Sequence, residues 1–168
     1  LAQGLTLKGH KVLVLDCDPQ GSLTTLFGIL PDTEVDESQT ILPVCLGQET
    51  SIEPAIQSTY WHGLDLVCAA PLLFAAEFGL PARQMREDDF EFWNVLNLAL
   101  DDVRDKYDVI IIDTPPALSY VTINAHGMLS KHYYAGDDKL ATRLAGEAAD
   151  FDSGTPLSGQ NTGSLAAR

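Results

Sequence analysis

Lys11-Val-Leu-Val-Leu-Asp16, continued by Cys17-Asp18-Pro19-Gln20-Gly21-Ser22, decides the fold of this chain together with a second stretch of the same design. The second is Tyr107-Asp-Val-Ile-Ile-Ile-Asp113, continued by Thr114-Pro115-Pro116. Each is a short, almost wholly apolar run that ends in a carboxylate. Runs of this kind form the interior strands of a parallel sheet, which helices cover on both faces. In an open parallel sheet, ligands bind at the carboxyl ends of the strands. Two strands that each deliver an aspartate to that edge build a site for a hydrated cation or a phosphate-bound magnesium, which one or two carboxylates hold. An apolar strand followed by Asp is the Walker B pattern, in which Asp113 orients a magnesium-bound water. The plainer alternative is that each Asp caps the helix that follows it. Two such endings, each leading into a proline-bearing loop, favour the nucleotide–magnesium reading.

Working outward, Leu64-Asp-Leu-Val-Cys68 reads as a third strand nearer an edge. Leu1 to Lys8 reads as the tail of a helix closed by Gly9. Pro71 to Leu80 predicts a short helix ending near Gly79, with Phe74 and Phe78 packed in the core at i,i+4 spacing. Asp89 to Lys106 predicts one helix whose apolar stripe is Phe92, Val95, Leu96, Ala99 and Val103. Pro31 to Gln48 reads as an exposed acidic loop, and Glu87-Asp88-Asp89 as acidic residues at a helix start. Tyr60-Trp61 and Phe92-Trp93 are assigned to packing, since no basic residues interleave with them. The expected organisation is an α/β domain over residues 1–125, doubly wound around a mostly parallel sheet. A divergent tail follows over 126–168, rich in Gly, Ala, Ser, Thr and Asp from Ala135 onward. A weak helix at 140–149 and disorder from Asp152 are expected there.

Composition narrows the function. The chain has 168 residues, 45% of them hydrophobic, which suits one domain with a real core. A formal net charge of −14 opposes nonspecific contact with a phosphate backbone, and no Lys/Arg cluster is present to offset it. No apolar run approaches the ~18 residues of a membrane span. Cys17, Cys45 and Cys68 are odd in number and widely spaced, which points to core thiols in a reducing cytosol. The four histidines lack metal-ligand spacing, and Ser22 and Ser119 have no nearby histidine for a hydrolase triad.

The DxDPQG segment at Asp16–Gly21 and the DTPP segment at Asp113–Pro116, with Thr122-Ile-Asn-Ala125 beyond, resemble the ParA family of deviant Walker-type partition ATPases. MinD and the nitrogenase iron protein are more distant relatives. The resemblance spans about residues 1–125 and implies a P-loop NTPase-like fold that binds ATP and magnesium and moves plasmids or chromosomes apart. It places Asp18 at the hydrolytic water, Asp16 in support of the magnesium shell and Asp113 as the Walker B acid. Gln20, Gly21 and Ser22 would form one switch, and Thr114, Pro115 and Pro116 the loop that senses the γ-phosphate. It further implies a homodimer that works with a centromere-binding partner protein, and nonspecific DNA binding that this acidic chain opposes.

One departure bears on activity. The sequence contains no G-x-x-x-x-G-K-[ST] loop, whose N–H groups and lysine cradle the phosphates. Lys8-Gly9-His10-Lys11 lacks the second glycine and the Ser/Thr. In the family that loop precedes the segment aligned with Leu1, so the chain is expected to be an incomplete form whose central strands keep an open edge. A non-catalytic remnant that only binds a partner is the competing reading. A MinD-like membrane-surface ATPase ranks lower, because the tail has no basic amphipathic helix.

Overall fold

A computed structural model describes residues 1–132 and 164–167. The elements run α1 (Ala2–Leu7), β1 (Val12–Asp16), α2 (Ser22–Leu26), α3 (Leu42–Leu46), β2 (Gln57–Ser58), β3 (Leu64–Val67), α4 (Ala76–Arg86), α5 (Val95–Ala99), β4 (Val109–Asp113), α6 (Tyr120–His132) and β5 (Ser164–Ala167). The sheet order is β2-β3-β1-β4-β5. The three inner strands are parallel: Val12 faces Leu64 on one side and Val109 on the other, and the register ends on Asp16 opposite Asp113. The short strands β2 and β5 flank them antiparallel.

The apolar runs are buried on both faces because side chains of a strand alternate across the sheet. Leu13, Leu15, Val67, Ile110 and Ile112 point to the face covered by α3, α4 and α5. Val12, Val14, Leu66 and Ile111 point to the other, against Leu5 of α1 with Leu23 and Phe27 at its margin. This is the doubly wound α/β arrangement. All three cysteines are free and buried. Among the described residues no helix is long and apolar enough to cross a membrane.

Several local expectations are corrected. The helix near Pro71 does not stop at Gly79: a 3-10 turn over Pro71–Ala75 leads into α4, which continues through Pro81 to Arg86. Gly79 serves a close approach instead, since a Cβ there would lie 2.4 Å from Leu46 Cδ2. Phe74 and Phe78 are exposed, at 55% and 76%. The core-facing stripe is Leu73, Ala76 and Leu80, so i,i+4 spacing identified a shared face but the wrong one. Asp89 to Lys106 is broken into a 3-10 turn at Phe92–Asn94, α5, and a second 3-10 turn at Arg104–Lys106, although its stripe is packed inward. Glu87, at the C-terminal end of α4, pairs with Arg83 of that helix rather than with a following helix start. Part of the expected acidic loop is core: Ile41, Leu42, Val44 and Cys45 are buried in and beside α3. Tyr60 is 71% exposed rather than packed.

The edges also differ from expectation. β1 has a partner on each side, and β5 pairs with the outer edge of β4. Helix α6 runs through Ala125 to His132, held to α5 by Asn124, whose side chain accepts from Leu96 N at 3.0 Å and donates to the Phe92 carbonyl. The helix expected at 140–149, and the tail from Asp152 as far as residue 163, lie outside the described residues; Ser164–Ala167 form a strand.

Candidate functional site

The site lies where β1 and β4 end side by side. Parallel pairing puts Asp16 and Asp113 in register, and Cys17 N donates to the Asp113 carbonyl at 2.9 Å, so the two loops leave the sheet from a shared anchor. After β1 the chain turns sharply. Gln20 N donates to Asp18 Oδ1 at 2.9 Å and Gly21 N to the Asp18 carbonyl at 2.8 Å, an aspartate-led turn that delivers the chain into α2. Gly21 sits at φ 60°, and a Cβ there would lie 2.5 Å from Pro31 Cγ and 3.1 Å from the Ala69 carbonyl. Only glycine fits that corner.

Asp16 is completely buried, and its carboxylate is already engaged. Oδ2 accepts from Thr24 N at 2.8 Å and from the Thr24 hydroxyl at 2.7 Å, and Oδ1 accepts from Asp18 N at 3.2 Å. The Thr24 hydroxyl in turn accepts from Ala69 N at 2.9 Å. One carboxylate thus ties the ends of β1 and β3 to α2 and to the loop that carries Asp18. Burial pushes its pKa up, the donors from Thr24 and Asp18 pull it back, and the charge on Asp113 pushes it up again.

Asp113 and Asp18 are only partly buried. The Asp113 carboxylate accepts no hydrogen bond among the described residues, and its pKa is raised, first by burial and then by the charge of Asp18. Two carboxylates that repel each other, with no described lysine or arginine paired to them, are a donor set for a hard divalent cation. The described ion pairs lie elsewhere, at Arg83–Glu87, Arg104–Asp101 and Lys106–Glu53. Among the described residues no group of three or more histidine, cysteine or acidic side chains is gathered as a metal site. A magnesium ion held mainly by water and phosphate needs only one or two carboxylates, and Asp113 and Asp18 are the ones available, with Asp16 behind them. Cys17, between Asp16 and Asp18, is buried and its thiol is pushed well up, so it is inert.

The second loop is fixed from behind. Ala117 N donates to the Pro115 carbonyl at 2.8 Å. Thr114 and Pro115 are partly buried and Pro116 is exposed. Glu77 of α4 accepts from Tyr120 N and Val121 N at 3.0 and 3.2 Å, capping α6. The structure thus brings Asp16, Asp18 and Asp113 to one edge, with Gln20, Gly21 and Ser22 on one loop and Thr114, Pro115 and Pro116 on the other. Sequence reasoning missed Thr24, Ala69 and Glu77. Thr24 lies eight residues past Asp16 and two past the Asp16–Ser22 motif, whereas Ala69 and Glu77 carry no local signature.

The α/β domain with acidic strand ends has the fold of the P-loop NTPase-like class, as its similarity to solved structures shows. The family model described as an AAA domain matches residues 1–133. The chain is 36% identical over 129 residues to the protein SopA of Escherichia coli, covering 74% of this chain and 32% of SopA. It is 33% identical over 137 residues to a virulence plasmid ParA family protein of Chlamydia psittaci, covering 82% and 46%. Among solved structures it resembles cobyrinic acid a,c-diamide synthase from Mycobacterium smegmatis with bound ATP analog and magnesium, at 34% identity and TM-score 0.63, covering 78% and 48%. It also resembles a plasmid partition protein from Borrelia burgdorferi, at 27% identity and TM-score 0.55, covering 76% and 53%. The chain belongs to the ParA family of AAA-domain proteins. It spans about a third to a half of the length of the relatives it matches.

Proposed function

We propose that the chain supplies the metal- and water-handling half of a ParA-type partition ATPase, which hydrolyses ATP to drive plasmid or chromosome segregation in the cytoplasm. The observation that carries this reading is the in-register pair Asp16–Asp113 with Asp18 held beside it by its own turn. A plasmid partition protein and an enzyme solved with an ATP analog and magnesium among its structural relatives support it. When bound, magnesium would neutralise phosphate charge and order water. Asp113 would hold that metal's water shell, and Asp18 would orient the attacking water with the carboxylate oxygen its turn leaves available. Asp16 keeps the Asp18 loop and α2 in place from inside the sheet. The Gln20–Ser22 and Thr114–Pro116 loops flank the pair as the nucleotide-responsive segments. A homodimer and a centromere-binding partner belong to the same reading.

The sequence holds no phosphate cradle, and each lost charged contact costs ~1.5–3 kcal/mol. The 168-residue chain by itself is therefore expected to show no saturable ATP binding at millimolar concentration. Joined to the phosphate-loop strand and helix of a longer family member, it is expected to hydrolyse ATP. In that chimera Asp18→Ala should retain nucleotide binding and lose hydrolysis by 100-fold or more, about 3 kcal/mol. Hydrolysis unaffected by Asp18→Ala would sink the assignment.

A further inference from the structure

The sheet ends at β2 with a small cavity beside it. From Val12 to Ala82 the chain carries ten carboxylates and not one lysine or arginine. Asp32, Glu34, Asp36 and Glu37 are all exposed in the turns that follow Ile29 and Leu30. The cavity, about 190 Å³, is lined by Phe27, Ile29, Ser58, Tyr60 and Leu66 among others. That is smaller than a drug-sized ligand site and suits one large apolar side chain. Leu66 is fully buried, while Tyr60 is 71% exposed, with its ring 6.3 Å from that of Phe27. Leu26 and Leu30 add exposure of 77% and 57% on the same segment.

Backbone pairing adds direction. Gln57 pairs with Leu66, and Thr59 N donates to the Leu64 carbonyl at 3.3 Å. Alternation along an antiparallel strand then turns the N–H and C=O of Ser58 outward, away from β3. Among the described residues nothing pairs with that edge.

We propose that this edge is a docking site for an extended segment of another protein that carries one large apolar side chain between basic residues. The segment lies along β2, exchanges hydrogen bonds with Ser58, and drops its apolar side chain between Phe27, Ile29 and Tyr60. Its basic residues meet the carboxylates of the 32–37 turns. Charge selects the occupant. At this edge a second copy would set its own acidic 32–37 turns against these, whichever other face a homodimer uses, and residues 133–163 carry five carboxylates against two basic side chains.

The test uses the full 168-residue chain and the fluorescein-labelled peptide Lys-Val-Lys-Phe-Lys-Val-Lys, capped at its C-terminus, followed by anisotropy and by amide NMR. Saturable binding is expected, with slowed hydrogen exchange at Ser58 and shifts at Phe27 and Tyr60. Replacing the peptide's Phe by Ala should weaken it at least tenfold, a comparison that leaves the folding of the chain untouched. Tyr60→Ala, at an exposed position, should weaken the parent peptide similarly. Four results would overturn the proposal: no binding at millimolar peptide, equal affinity of the Phe and Ala peptides, shifts confined to other surfaces, or a self-dimer through β2 in sedimentation.

Discussion

Thr24→Val is the substitution that probes the organisation of the site most sharply. It keeps the shape of the side chain and removes one oxygen that serves two partners, Asp16 Oδ2 at 2.7 Å and Ala69 N at 2.9 Å. Ala69 is fully buried, so its N–H is left without an acceptor at ~1–3 kcal/mol, and Asp16 loses one donor to its carboxylate at ~1.5–3 kcal/mol. With some relaxation the total is about 3–5 kcal/mol, a large part of the ~5–15 kcal/mol that holds a typical domain folded. In urea at neutral pH, with a slope of ~2 kcal/mol/M, the midpoint should fall by about 2 M. Thr24→Ser should recover most of the loss, because it keeps the hydroxyl.

The loss should also depend on pH. The folded-state pKa of Asp16 is raised above its unfolded value, so its contribution favours folding below about pH 4 and fades as pH rises through the raised value. Thr24→Val withdraws a donor that favours the charged form and pushes that pKa higher still. The variant should therefore be hurt more at pH 7 than at pH 4. A midpoint shift worth under about 1 kcal/mol, or an equal loss at both pH values, would refute the buried-carboxylate latch.

Three further outcomes follow from the fold. Gly21→Ala combines a left-handed backbone, at ~1–2 kcal/mol, with a Cβ 2.5 Å from Pro31 Cγ, and should lower thermal stability by several degrees in calorimetry. Leu80→Ala, at a fully buried position, should cost ~2–5 kcal/mol in urea unfolding, whereas Phe78→Ala at 76% exposure should stay within ~0.5 kcal/mol. Burial pushes the Cys45 and Cys68 thiols up to about 12 and about 11, so a thiol reagent at pH 8 should label the native chain slowly and all three cysteines rapidly in urea.

The central strands were legible because parallel interior strands must be apolar on both faces, and few other elements produce Val-Leu-Val-Leu-Asp or Val-Ile-Ile-Ile-Asp. Their carboxylates were legible for the same reason: a charge at the end of such a run can only emerge at the sheet's edge. The division of labour among them was not. Asp16 and Asp113 look alike in sequence, yet three donors bury one and none satisfies the other, a difference made by Thr24 and by the strand end at Ala69, 45 residues further on. Helix faces were misread where spacing alone was used, since Phe74 and Phe78 share a stripe that α4 turns outward while it packs through Leu73, Ala76 and Leu80. The buried helix α3 was hidden by its neighbours: the run Ile41-Leu-Pro-Val-Cys45 is apolar, but it is short and follows four carboxylates.

The most direct measurement is a titration of the phosphate-loop-restored chain with a fluorescent ATP analogue, with and without magnesium, beside the same protein carrying Asp113→Ala. If the strand-end aspartates are the metal half of the site, binding is saturable, tightens at least tenfold with magnesium, and loses that gain in Asp113→Ala. Binding that ignores magnesium, or that gains equally from it when Asp113 is gone, would contradict the account.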